Sequence, residues 1–170
     1  MRLAYADPPY IGQAKRHYSN DPSWIPAAEV DHVELLQRLS TYDGWALSCS
    51  TPSLRYLLSI TPEGTRVGAW VKPFASWKPT HRVQYCWEPI LFIPARPRGG
   101  RGIPSVRDWV SANITLRKGT HGAKPPTFND WIISLLGYQE GDTLDDLFPG
   151  TGGLQERLAR VAQPDRAALS

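Results

Sequence analysis

Six residues into the chain, an apolar run is cut off by two prolines. Leu3–Ala6 reads as a short strand, and Asp7-Pro8-Pro9-Tyr10 follows it at once. Proline has no N–H to give a sheet and holds its φ fixed, so a central strand cannot continue through such a pair. The chain must leave the sheet at Asp7, with a carboxylate and an aromatic ring held by a stiff turn at a strand's carboxyl end. The far end of the chain shows a second punctuated strand. Thr143–Leu147 reads as the last strand, and Asp146-Leu147-Phe148-Pro149-Gly150-Thr151-Gly152 as a glycine-bearing turn into a helix over Leu154–Val161.

Between these ends the pattern alternates. Val30, Val33, Leu35, Leu36 and Leu39 recur at helical spacing, which predicts a helix over Ala27–Leu39 after a long polar loop from Tyr10 to Pro26. Gly44–Ser50 is a strand, Thr51 an N-cap with Pro52 at the first helical position, and Arg66–Val71 a third strand. Val83–Ile93 reads as a strand or half of a hairpin, broken near Pro89, and Asn113–Leu116 as a further short strand. Pro126–Leu136 reads as a helix ended by Gly137. Strand, helix, strand, helix, strand is the signature of a mostly parallel sheet with helices on both faces. No repeat or boundary divides the 170 residues, so an α/β fold of one domain, 1–170, is expected.

Charge is distributed unevenly. From Lys72 to Lys124 there are ten Lys and Arg against two acids, Glu88 and Asp108, while the flanks are net negative. A basic middle suggests a polyanion bound on one face, although a merely soluble basic surface has the same composition. The Pro/Gly/Arg loop beginning at residue 94, with the segment up to 118, is the expected recognition element. Arg96, Arg98, Arg101, Arg117 and Lys118 are its candidate polyanion contacts, nucleic-acid contacts if the resemblance given below holds. No apolar run is long enough to span a membrane, and the first residues lack the apolar stretch of a signal peptide. Cys49 and Cys86 lie in strand-like apolar runs and are expected to be buried thiols in a reducing, cytoplasmic setting. The four histidines show no metal-ligand spacing, so no metal is expected; His17 is either solvated or lines a target pocket.

The two punctuated strands together resemble the amino-methyltransferases that act on adenine or cytosine. Asp7–Tyr10 matches their DPPY catalytic motif, and Asp146–Gly152 their D-x-F-x-G-x-G cofactor motif. The order, catalytic motif first and cofactor motif last, looks like the circularly permuted (beta-type) class. The chain is also similar to the messenger-RNA adenosine methyltransferase family. There a DPPW motif precedes a Lys-Pro, here Lys124-Pro125, and an L-F segment, here within Leu144–Phe148. Trp87-Glu88-Pro89-Ile90-Leu91 looks like the E-x-I-L strand near the target-base pocket of these families. The resemblance implies a minimal, Rossmann-like fold for S-adenosylmethionine-dependent methyl transfer. It also implies that Asp7, Pro8, Pro9 and Tyr10 are catalytic, and that Lys124, Asp146, Phe148, Gly150, Thr151 and Gly152 hold the cofactor, Lys124 through its carboxylate. The aspartate form of the motif tilts the target toward N6 of adenine in DNA. N4 of cytosine, adenosine in RNA and an inactive nucleic-acid-binding subunit remain alternatives.

The residue chemistry suits such a reaction. The lone pair of an aromatic amine is delocalised, so the nitrogen is a poor nucleophile. Two acceptors on its hydrogens, the Asp7 carboxylate and the Pro8 carbonyl, favour a more tetrahedral nitrogen and stabilise the charge that develops. Tyr10 offers a flat face to an extruded base. Gly150 and Gly152 allow close backbone approach, and the next helix N-terminus favours an anionic group. One departure stands out: 18 residues follow Gly152 here, so no further strand to hold the cofactor ribose is expected within them. Asn20, Asp21, Gln155 or a second subunit of a homodimer would have to supply that contact.

Overall fold

The computed structural model describes residues 1–11, 30–74, 78–97, 99, 104–115 and 123–161. Within them lie β1 (Arg2–Ala6), α1 (His32–Leu39), β2 (Gly44–Ser48), α2 (Thr51–Ile60), β3 (Arg66–Val71), β4 (Trp87–Ile93), β5 (Trp109–Ser111), α3 (Pro126–Leu136), β6 (Thr143–Asp146) and α4 (Gly153–Val161). The strands form one sheet in the order β5-β3-β4-β2-β1-β6. The first strand lies between β2 and β6 and is parallel to both. β4 runs antiparallel to β2 and β3, and β5 is parallel to β3. Five strands therefore share one direction, and their carboxyl ends share one edge with the amino end of β4.

Side-chain alternation divides the core. Leu3 and Tyr5 of β1 join Ile90, Phe92, Phe128, Ile132 and Leu154 in one buried cluster. Ala4 and Ala6 join Leu36, Leu39, Trp45 and Leu57 in another. Consecutive strand residues point to opposite faces, so β1 is buried through its whole thickness, as a strand in the middle of a parallel sheet must be. Its run of apolar residues without polar alternation follows from that. The first cluster is filled by α3, whose Phe128 ring centroid lies 6.1 Å from Tyr5, 5.1 Å from Trp70 and 5.8 Å from Trp131. The indole N–H groups of Trp70 and Trp131 donate to the carbonyls of Ala112 and Arg107 at 2.8 Å, so both rings are buried without an orphaned donor.

Several boundaries move from those expected. α1 starts at His32, because the Asp31 carboxylate accepts from Val33 and Glu34 N–H at 2.8 and 3.1 Å and so caps it there. The expected helix residues 27–29 lie outside the described residues. The N-cap of α2 is Ser50, one residue before the expected Thr51. β4 runs straight through Pro89. The Pro89 carbonyl accepts from the Cys49 N–H. In an antiparallel ladder a residue's N–H and C=O face the same neighbour, so the missing N–H falls just past the end of β2 and breaks no ladder bond. The expected strand at Asn113–Leu116 is replaced by β5, where Trp109–Ser111 continues the sheet beside Ala69–Val71. Cys49 is buried as expected, but Cys86 is exposed, because it precedes β4 rather than lying in it. Gly137 ends α3 in the left-handed conformation, φ 72°, as the sequence indicates. Among the described residues no helix is long and apolar enough to cross a membrane.

Candidate active site

The residues at the two ends of the chain meet at one place on the sheet edge. In the β1–β6 ladder Tyr5 is the register partner of Asp146, and the Leu147 N–H donates to the Tyr5 carbonyl at 2.9 Å. Asp7 leaves β1 two residues later, beside the point where β6 turns into the glycine loop. From β1 the chain crosses to β2 on one side, whereas β6 lies on the other. A parallel sheet opens a crevice beyond the carboxyl ends of its strands where the connections diverge in this way. Pro8 is buried, and Asp7, Pro9 and Tyr10 are partly buried at this edge.

On the β6 side, Gly150 and Gly152 have φ of 48° and 74°, a region that only glycine enters freely. A Cβ on Gly152 would meet nothing within 4 Å, and on Gly150 only the Phe148 carbonyl at 3.9 Å. The loop thus presents bare backbone to open space, followed by the first N–H groups of α4. The Phe148 N–H donates to the Asp146 carboxylate at 3.2 Å. Burial raises the pKa of Asp146, opposed by that bond and one from Gln155, while the negative charge of Asp7 adds to the rise. Such a loop suits a ligand with an anionic end and a cationic centre.

On the β1 side an ionic network joins Asp7, Tyr10, Lys124 and Glu88 to Lys72. The Lys124 Nζ lies 3.0 Å from the Asp7 carboxylate and 3.4 Å from that of Glu88, the residue at the amino end of β4. Glu88 also pairs with Lys72, just after β3, and accepts from the Tyr10 hydroxyl at 2.7 Å. The Lys124 ammonium is walled by the rings of Tyr10, Trp70 and Phe128, with centroids 5.9, 5.3 and 5.8 Å away. Deeper in, the Tyr5 hydroxyl and Ser48 Oγ are hydrogen bonded at 2.8 Å. Two carboxylates and two ammonium groups thus balance in a partly dry pocket lined by aromatic rings.

The protonation pattern follows from these neighbours. Burial raises the pKa of Asp7; Lys124 pulls it back only in part, and Glu88 adds to the rise. Burial pushes Glu88 the same way, but Lys124 and Lys72 together outweigh it and leave its pKa lowered. For Lys124 burial favours the neutral amine, yet Asp7 and Glu88 overcome it and raise the pKa. Burial and the charges of Glu88 and Asp7 hold the Tyr10 phenol well above its ordinary value. At neutral pH the site therefore holds an ammonium at Lys124, a carboxylate at Glu88 and a neutral phenol at Tyr10. Asp7 is the group whose charge is most expensive.

The candidate residues are thus sorted by position. Asp7, Pro8, Pro9 and Tyr10 stand together with Asp146, Phe148, Gly150, Thr151 and Gly152 across the β1–β6 crevice. Lys124 is brought into the site, with Asp7 and Glu88 as its carboxylate partners rather than a group in the glycine loop. Arg96 is not brought there. It follows the carboxyl end of β4, at the opposite sheet edge, where it forms two bonds of 2.6 and 3.0 Å to Asp142 and one of 2.7 Å to the Gly137 carbonyl. Arg98, Arg101, Arg117, Lys118 and His17 lie outside the described residues, as do Asn20 and Asp21. Lys72, Trp70, Tyr5 and Ser48 are site residues that the sequence reading passes over. A lysine directly after a buried strand was the available signal for the first. The others look like ordinary core until the sheet order is known. Among the described residues no group of three or more His, Cys, Asp and Glu side chains could hold a metal ion.

No family model matches this chain, and no curated protein does. Among solved structures it is similar to the M1.HpyAVI–SAM complex, with a TM-score of 0.62 and 14% identity, over 95% of this chain and 79% of that one. It is also similar to M1.HpyAVI, with a TM-score of 0.58 and 17% identity, over 94% and 76%. At these identities the likeness is one of architecture: the chain carries the M1.HpyAVI fold.

Proposed function

We propose that this protein transfers the methyl group of S-adenosylmethionine to the exocyclic N6 amine of adenine in DNA. The observation that carries the reading is the β1–β6 pairing, which sets Asp7 and the Asp146–Gly152 loop side by side at one sheet edge. Support also comes from the shared fold of M1.HpyAVI, which was solved in complex with SAM, and from the DPPY and D-x-F-x-G-x-G strings. The order of those strings makes this the permuted form of the fold, with its sheet covered by helices on both faces.

The glycine loop fits the cofactor. Gly150 and Gly152 leave room for an amino-acid moiety against bare backbone, the α4 N-terminus suits a carboxylate, and Asp146 with Asp7 suits a sulfonium. When bound, the cofactor supplies an activated methyl group, so no strong base is required. The protein's part is to hold the amine. Asp7 accepts one of its hydrogens and the Pro8 carbonyl the other, which localises the lone pair and offsets the charge that grows on nitrogen. Tyr10 lays its ring on the extruded base, its hydroxyl anchored by Glu88. Lys124 and Glu88 fix Asp7 and Tyr10 relative to each other. With base and cofactor in place, Asp7 and the Pro8 carbonyl would grip the amine, its nitrogen would take the methyl group as the neutral thioether leaves, and Asp7 would pass the amine proton to solvent.

Incubation with methyl-labelled S-adenosylmethionine and separate pools of DNA and RNA, followed by nucleoside mass spectrometry, tests the reading. N6-methyldeoxyadenosine is the expected product. N4-methylcytosine or N6-methyladenosine in RNA would move the target and keep the chemistry; no labelled base from any pool would refute it.

A further inference from the structure

The connection between β3 and β4 is more highly built than its sequence suggests. The Gln84 side chain folds back across it: its Oε1 accepts from the Lys78 N–H at 2.9 Å, and its Nε2 donates to the Lys78 carbonyl at 2.9 Å and to that of His81. The His81 N–H donates to Lys78 as well, and the Lys72 N–H donates to the Cys86 carbonyl at 2.8 Å, closing the base of the loop. A loop held this way pays little ordering entropy on binding. What it displays is unusual for a free surface. Phe74, Tyr85 and Trp87 are 56, 45 and 39% exposed. Lys78 stands over the Tyr85 ring at 6.0 Å, and the His81 ring meets Tyr85 edge-on at 5.5 Å. Arg82 is exposed beside them. Acidic side chains are absent from residues 78–87.

Aromatic faces interleaved with cations match a partner that alternates flat rings with negative charge. Duplex bases keep their faces stacked on one another, whereas a strand with unpaired bases offers them. The loop projects from the edge that carries Asp7, and Trp87 adjoins Glu88 in β4. We infer that the clasped loop 78–87, with Phe74, is a docking surface for the single-stranded nucleic acid that flanks the target base. The inference rests on the proposed function and specifies its substrate as an unpaired strand. Tyr85 and Trp87 stack bases, Lys78 and Arg82 take phosphates, and Gln84 keeps them in place.

Fluorescence anisotropy of the full chain with labelled oligo-dT tests this apart from methyl transfer, because no cofactor is present and the labelled strand has no adenine. Single strand is expected to bind more tightly than the matching duplex. Tyr85→Ala and Trp87→Ala are each expected to weaken binding by about ten-fold while leaving the salt dependence unchanged. Lys78→Ser with Arg82→Ser is expected to flatten the log–log salt slope by about 1.4. Photocrosslinking of the unaltered protein to 5-iododeoxyuridine in such a strand is expected to label residues 78–87. Unchanged affinity in both aromatic variants, or crosslinks confined to other segments, would overturn the inference. Either result leaves the chemistry at Asp7 to its own test.

Discussion

At the residue scale the chemistry turns on Asp7. Its carboxylate must be ionised to accept from an amine, yet burial raises its pKa and the Lys124 ammonium restrains the rise. Activity is therefore expected to fall on an acid limb lying above the ordinary aspartate range. Lys124→Met removes the restraining charge, so that limb is expected to move to higher pH in the kcat/KM profile; an unmoved limb would separate Lys124 from Asp7. The same raised pKa has a consequence for stability. The folded state binds this proton more tightly than the unfolded chain, so the Asp7 contribution declines as pH rises from the ordinary carboxylate range through the folded value. Lys124 has the same sign in a more alkaline window: its raised pKa gives stability that is complete below the ordinary lysine value and lost as pH rises through the folded one. Because Lys124 and both its partners are mostly shielded from water, Lys124→Met is also expected to destabilise by about 3–5 kcal/mol, measured by urea unfolding.

At the scale of elements, glycines at two turns behave differently. Gly44 opens β2 where an added Cβ would lie 2.4 Å from the Ala95 backbone nitrogen. Gly44→Ala must shift main chain, and about 1–3 kcal/mol of lost stability is expected in urea unfolding. Gly152 faces open space at φ 74°, so Gly152→Ala meets only backbone strain of about 1–2 kcal/mol. Its larger effect is expected in calorimetric titration with S-adenosylmethionine, since the new methyl group occupies the approach to the loop. Equal affinity for the two proteins would argue against the loop as the cofactor's seat. These elements were largely legible in advance. β1, β2 and β3 and the helices over His32–Leu39, Thr51–Ile60 and Pro126–Leu136 stand where periodicity and Gly137 put them, with the starts of the first two helices set instead by Asp31 and Ser50. Pro89 was misleading because a proline in a strand is harmless when its N side points past the neighbour's end, and that depends on register. β5 was misplaced because Trp109–Ser111 has only three residues, and its pairing with β3 comes from distant chain. Asp7–Tyr10 and the glycine loop were readable because their chemistry is written in adjacent residues. Lys72 and Trp70 were not, because only the sheet brings them to Glu88.

At the scale of the whole molecule, the sheet has a working edge and an anchoring edge. The anchoring edge joins the start of the chain, the exit from β4 and the entry to β6. The N-terminal ammonium and Arg96 both bind Asp142, whose pKa the Arg96 hydrogen bonds hold well below the usual carboxylate range, with the N-terminus adding to the effect. A depressed carboxylate gives stability that is present above its unfolded pKa and lost as pH falls through the folded one. Asp142→Asn is therefore expected to lower Tm at neutral pH and to flatten the acid side of the Tm–pH curve. A variant curve parallel to that of the unaltered protein would mean the clamp does not hold the edges together. The working edge depends on that clamp, since β1 and β6 must stay in register for Asp7 to face the glycine loop. The division of labour between the two sides of this crevice is tested most directly by one comparison. Asp7→Ala and the unaltered protein, matched for Tm and for S-adenosylmethionine binding, are assayed for methyl transfer to adenine in DNA. A loss of about 100-fold or more in kcat is predicted; kcat within a few-fold of the unaltered protein would contradict the account.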